Sequence, residues 1–148
     1  MPTDTSECGL ESLIVQSLVE EAHYVQGAPQ DYNREHCLDT VQLMSFLQAT
    51  QPEKVARLGI EVEGEKRNKF LHRLQSEIAK RGTIDVLRKG VEHLAASVEL
   101  YYLTPSPENQ KAVELYQSNI FSITRQLRYS LSEQALALDL CLFINGLP

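Results

Sequence analysis

The chain has 148 residues, 43% of them hydrophobic and 23% charged, which suits one ordinary soluble domain with a real core and argues against two independent ones. Its formal net charge of −6 is unevenly spread: residues 1–63 hold 3 Lys/Arg against 11 Asp/Glu, whereas residues 64–148 hold 11 against 9. A polyanion would have to be met by the second part.

The three cysteines, Cys8, Cys37 and Cys141, are odd in number and lack CxxC spacing, which argues against a disulfide framework and a zinc site and predicts a reducing cytoplasm. The amino terminus, MPTDTSECGLES, has neither a basic start nor an apolar segment behind it. No stretch approaches 18 consecutive apolar residues, so no membrane partner is expected.

The first predicted helix starts near Asp4 or Ser6, where Asp4 and Glu7 have capping-box spacing, and runs to about Glu21. Leu10, Leu13, Ile14 and Leu18, extended by Val15, form its apolar arc. Glu11 falls inside that arc, where a carboxylate is costly unless it is paired, protonated or bound to a cation. The plainer alternative is an edge position bonded to backbone or to an arginine. Residues 24–36 read as a loop, on Gly27, Pro29, Asp31 and Asn33.

A helix is predicted from about Leu38 to Ala49, with Leu38, Val41, Met44, Phe46 and Leu47 directed inward, and Pro52 opens a short helical turn to Leu58. After a turn at 59–63, a longer helix from Glu65 to Lys80 puts Phe70, Leu71, Leu74 and Ile78 on one face, ended by Gly82. Its basic run, Lys66, Arg67, Lys69, Arg73, Lys80 and Arg81, is interrupted by Glu65 and Glu77 and reads as a solvated face. A further short helix spans Thr83 to Lys89.

Val98 to Leu103 reads as a strand, and Thr104-Pro105-Ser106-Pro107 as a stop before a helix reaching about Ser118 that buries Ala112, Val113 and Tyr116. Phe121 to Tyr129 alternates as a second strand carrying Arg125 and Arg128. From Leu138 to Ile144 strict alternation predicts a central strand covered on both sides, with Asp139 its one charge. Asn145-Gly146 then marks a tight hairpin, since both turn positions need φ > 0. Only Leu147 and Pro148 follow, so the chain reads as a piece of something longer.

Nucleotide-binding loops, the zincin helix and the hydrolase elbow have no counterpart here, and His23, His36, His72 and His93 lack metal-ligand spacing. Tyr101, Tyr102 and Phe121 read as core aromatics rather than a base-stacking platform. What remains is Asp139 beside a hairpin, with Glu11 as a companion. Metal-dependent nucleases use a strand-borne carboxylate, a second acidic ligand and a Lys on the returning strand, so that Mg²⁺ activates water and neutralises phosphate charge. The plainer reading of Asp139 is a strand-end carboxylate bonded to backbone N–H groups.

The segments TSECGLESLIV, DYNREHCLDTVQLMSFLQATQP, KFLHRLQSEIAKRG, TPSP, and above all NIFSITRQLRYS followed by LDLCLFINGLP, resemble the amino-terminal part of the R subunit of type I restriction endonucleases. The resemblance covers essentially the whole chain. It implies an α+β fold, an amino-terminal helical bundle packed on the first strands of a restriction-endonuclease-like mixed sheet. One domain is expected over 1–148, mainly helical to residue 97 and strand-helix-strand-strand from 98. By the same resemblance Asp139 is the catalytic, Mg²⁺-binding aspartate, Glu11 is an accessory active-site carboxylate, and Arg125 and Gln126 lie near the site. The family's Glu-x-Lys falls on the returning strand, beyond Pro148. The resemblance further implies DNA as substrate, partner methylation and specificity subunits, and ATP use by motor domains whose motifs are absent from this chain. The alternative is a non-catalytic interaction module, offering the edge of the Phe143 strand, or a remnant of a truncated gene.

Overall fold

A computed structural model describes residues 6–148. Helix α1 spans Glu7–Glu20, with Ser6 as its N-cap accepting from the Gly9 N–H at 3.2 Å. Asp4 of the expected capping box lies outside the described residues. The loop expected at 24–36 contains β1 (Val25–Gln26), a 3₁₀ turn (Pro29–Asp31) and β2 (Tyr32–Asn33), which pairs antiparallel with β3 (Leu38–Asp39).

Asp39 caps α2 (Thr40–Thr50), accepting from the Gln42 N–H at 3.0 Å. Pro52 opens α3 (Pro52–Leu58), which ends at Gly59 in the left-handed region. Then come α4 (Glu65–Arg81) and α5 (Thr83–Lys89), a hairpin of β4 (Val91–His93) and β5 (Ala96–Val98), and α6 (Gln110–Gln117). Strands β6 (Phe121–Arg128) and β7 (Ala137–Ile144) follow.

The main core is built by α2 to α5 and the β4–β5 hairpin, with Leu43, Phe46, Leu47, Phe70, Leu74 and Val86 fully enclosed. Each such side chain contributes about 1.5–3 kcal/mol by leaving water. Phe70, Leu71 and Leu74 are buried as the α4 periodicity requires, and Ile78 packs partly against them. On α2 the inward set shifts slightly: Leu43 is enclosed, whereas Val41 is exposed.

Beside this core lies a three-stranded sheet of order β1-β6-β7, with β1 parallel and β7 antiparallel to the central β6. Ser122 and Thr124 of β6 are buried, and the Ser122 hydroxyl donates to Gln42 Oε1 at 2.6 Å, which ties the sheet to α2. The Asn145-Gly146 turn takes the expected form, with φ of 52° and 85° and reciprocal backbone bonds between Ile144 and Leu147 at 2.9 and 3.0 Å. The Asn145 side chain is buried, accepting from the Ile120 N–H and donating to the Leu100 carbonyl, and the Gly146 carbonyl accepts from the Asp39 N–H. The turn is thus stitched into the start of α2.

Four expectations are corrected. First, no strand runs from Val98 to Leu103: β5 ends at Val98, and residues 99–109 form no helix or strand. Side-chain amides take the place of a ladder there. Gln51 both accepts from the Glu99 N–H and donates to the Glu99 carbonyl, and Asn119 does the same for Tyr102.

Second, among the described residues β7 lies at the end of the sheet order rather than at its centre, paired along its length with β6, and Leu138 and Leu142 on one face are exposed. Third, most of the apolar arc of α1 is not core: Leu10, Leu13 and Ile14 are exposed, and of the arc Val15 alone is fully buried, alongside Gly9 and Glu11. The sheet offers α1 a polar partner surface at Arg125 and Gln126, so the helix turns its carboxylate inward. Fourth, α6 buries none of Ala112, Val113 and Tyr116 completely; all three are half-buried, because the helix lies at the margin of the core.

Candidate functional site

Three elements converge on one point. Helix α1 brings Glu7 and Glu11, which share a helical face by their four-residue spacing. Strand β6 brings Arg125 and Gln126. Strand β7 brings Asp139, which the register places directly opposite Gln126, between the pairs Arg125↔Leu140 and Leu127↔Leu138.

Glu11 is 7% exposed and fully engaged. Its Oε2 accepts from Arg125 Nη2 at 3.3 Å and from Gln126 Nε2 at 3.3 Å, and the same amide lies 3.4 Å from its Oε1. Gln126 Nε2 also reaches Asp139 Oδ1 at 3.5 Å. Arg125 Nη1 donates to the Ser12 hydroxyl at 3.3 Å, which fixes the guanidinium against α1. A carboxylate in the apolar arc is therefore satisfied, as the plainer alternative also allowed, by an arginine.

Gln126 occupies the left-handed region with φ of 51°, inside a strand. That conformation costs an L residue about 1–2 kcal/mol. It interrupts the β6–β7 ladder at the one position, 126 opposite 139, where the two strands form no pair. The interruption turns the Gln126 amide toward α1 and the paired carboxylates.

Ligand oxygens of Glu7, Glu11 and Asp139 all lie within 4.8 Å of one another. Glu7 and Asp139 are exposed, so the cluster is open to solvent on one side and closed on the other by β6. The structure thus brings together Asp139 and Glu11, with Arg125 and Gln126 between them. Asp139 is not the enclosed charge of a doubly covered strand; it sits on the exposed start of β7, away from the hairpin turn. The sequence reading missed Glu7 as a member of the group, treating it only as a capping residue. Its four-residue separation from Glu11 was the available signal.

Three carboxylates facing one another suit a hard divalent cation, which takes oxygen ligands. Arg125 is the one guanidinium bonded into the cluster among the described residues, and it neutralises Glu11 rather than the exposed pair. Glu7 and Asp139 are the accessible oxygen donors of the group and Glu11 the positioned one.

The basic run lies elsewhere, on α4, and most of it is occupied. Lys69 pairs with Glu65, Arg73 and Arg81 pair with Glu77, and Arg81 also binds Asp85. Phe121 packs against Tyr24 and Tyr101 at ring separations of 5.8 and 6.3 Å, a packed aromatic group rather than an open platform. No helix among the described residues is long and apolar enough to cross a membrane. The chain matches no family model, no curated protein and no solved structure.

Proposed function

We propose that these 148 residues are the amino-terminal part of the DNA-cleaving domain of a type I restriction enzyme R subunit, with helices packed on the first strands of a restriction-endonuclease-like sheet. Asp139 and Glu11 hold Mg²⁺ in it, and the whole complex, with methylation and specificity subunits and an ATP-driven motor, acts on DNA in the cytoplasm. The observation that carries this reading is the meeting of α1 and β7 carboxylates across the Gln126 amide, from residues far apart in sequence.

Mg²⁺ in such a site supplies a nucleophilic water and neutralises charge on the scissile phosphate. The residues of this chain do the positioning. Arg125 and Gln126 orient Glu11, and Gln126 holds Asp139 in line with it. No Glu-x-Lys occurs in these 148 residues, so the second acidic ligand and the ammonium beside the nucleophile are not supplied by them. The chain by itself is expected to bind the ion weakly and to leave DNA intact.

The test is a Mg²⁺ or Mn²⁺ titration of the purified chain, followed by calorimetry and by amide shifts at 7–12, 125–126 and 138–140. Saturable shifts at those residues, lost in Asp139→Asn and weakened in Glu11→Gln, are the expected result. Absence of any localised shift at millimolar metal sinks the proposal, and so does Mg²⁺-dependent cleavage that survives Asp139→Asn. The second reading, an interaction module, is favoured by a different observation: among the described residues, β7 pairs along its length with β6 on one side only.

A further inference from the structure

Helix α4, 17 residues long, begins bare. Its N-cap, Gly64, offers no side chain, and the first bond of the helix runs from the Asn68 N–H to the Gly64 carbonyl at 3.0 Å. The backbone N–H groups of Glu65, Lys66 and Arg67 therefore have no acceptor among the described residues. Nothing stands within 4 Å of the place where a Gly64 side chain would be. Three free donors at the positive end of a helix dipole are the combination that holds anions.

A buried side chain without a partner faces the same space. The helix start opens onto a surface cavity of about 510 Å³ that His36, Gly64, Asn68, Lys69 and His72 line. His36 is 6% exposed, in the turn between β2 and β3, where its backbone N–H donates to Asn33 Oδ1 at 2.9 Å and fixes the turn. Its Nδ1 is enclosed and has no hydrogen-bond partner. With Nδ1 shut away, the edge of the ring that lines the cavity is the one carrying Nε2. An enclosed donor left unmade is the costly tautomer, so the proton belongs on Nε2 and its N–H points into the cavity.

Two carboxylates also line this cavity, Glu35 and Glu65, both exposed. Glu65 does not occupy the helix start, because Lys69 draws its carboxylate along the helix into a 2.8 Å ion pair. Glu35 has no cation partner among the described residues.

We propose that the start of α4 and His36 form a binding site for a phosphate dianion, either the free ion or the terminal monoester of a nucleic acid strand. The N–H groups of residues 65–67 meet its oxygens from the helix, and His36 Nε2 and the Asn68 amide meet them from the cavity. A terminal phosphate has three acceptor oxygens and close to two charges, which suits donors arriving from two directions. A diester has two such oxygens and one charge. Glu35 opposes the anion and limits its affinity. The site shares no residue with the Glu7, Glu11 and Asp139 group and does not rest on the nuclease reading.

The test is titration of the 148-residue chain with inorganic phosphate at constant ionic strength, without divalent metal, followed by amide shifts and the His36 ring resonances. Saturable shifts at 65–68 and at His36, absent with sodium chloride, are expected. Glu35→Gln, at an exposed position, tightens binding about twofold to fivefold. His36→Leu, checked for unchanged circular dichroism, weakens it at least about tenfold. A 5′-phosphorylated dinucleotide and its unphosphorylated counterpart identify the source. Shifts from phosphate alone mark the free ion as ligand, shifts from phosphate and the phosphorylated dinucleotide mark a strand end, and both bear out the site. Equal shifts from the two dinucleotides overturn the preference for a dianion. Absence of saturable shifts at 65–68, or binding indifferent to Glu35→Gln or to a folded His36→Leu, overturns the site; if His36→Leu does not fold, Glu35→Gln decides.

Discussion

The guanidinium of Arg125 stands 3.3 Å from the Glu11 carboxylate, joining the central strand of the sheet to a buried position on the first helix. Glu11 is almost wholly enclosed, whereas Arg125 is one-third exposed, so the pair is partly screened. Removing the cation leaves an enclosed carboxylate held only by the Gln126 amide. Arg125→Ala is therefore expected to cost about 1–2 kcal/mol in urea unfolding, less than the full price of breaking a deeply buried pair. Adding Glu11→Gln to it should recover part of that loss. Equal, additive losses in the two single variants would show that the pair is not coupled.

Gly146 sits in the left-handed region, and a Cβ there would meet the Asp39 carbonyl oxygen at 2.4 Å and the Leu43 backbone and Cβ at 2.8 Å. All of these atoms belong to the start of α2, which cannot yield without losing its cap. Gly146→Ala is expected to destabilise by at least about 2 kcal/mol, through overpacking added to backbone strain. Thermal unfolding measures it, and an unchanged midpoint would mean that the turn is not docked on α2.

The segment after β5 depends on two amide side chains. Gln51→Ala leaves the Glu99 N–H and carbonyl without their partners, and Asn119→Ala does the same at Tyr102. Each change is expected to cost about 1–3 kcal/mol. Hydrogen exchange is the specific readout: the Glu99 amide should lose protection in the first variant and the Tyr102 amide in the second, with α4 little altered.

Acid should destabilise the α4–α5 pair. Hydrogen bonding from Arg81, then the charge of Arg73, holds the Glu77 carboxyl below its ordinary value, and bonds from Lys89 and Arg81 do the same for Asp85. A carboxyl depressed in the folded state contributes stability that is present above its unfolded value, near pH 4.5 for Glu and 3.8 for Asp, and is lost as pH falls through the lower, folded value. Asp39 runs the other way: burial raises its carboxyl, so its contribution is present at low pH and lost as pH rises. Glu77→Gln should therefore flatten the acid limb of the stability profile, and Asp39→Asn should steepen it. Identical profiles in all three proteins would refute the assignment.

Local chemistry determined much of this protein from sequence alone. Pro52 and Gly59 bound α3, Gly82 ends α4, the spacing of Phe70, Leu71 and Leu74 sets its inner face, and Asn145-Gly146 dictates a turn with two positive φ angles. These features depend on residues within a turn or two of one another, where steric and hydrogen-bonding preferences decide. The oddity of Glu11 was legible too, because helical periodicity needs no partner to be computed. Tertiary structure decided what periodicity could not. Leu10, Leu13 and Ile14 form a proper apolar arc, yet the surface α1 meets is the Arg125–Gln126 stretch of β6, so the helix buries its carboxylate. The VELYYL segment has the composition of a strand, but Gln51 and Asn119 satisfy its backbone from distant positions, and no pattern within the segment announces them. The joining of Glu7, Glu11 and Asp139 likewise belongs to the fold, since it depends on the β6–β7 register and on one glutamine held in a left-handed conformation between them.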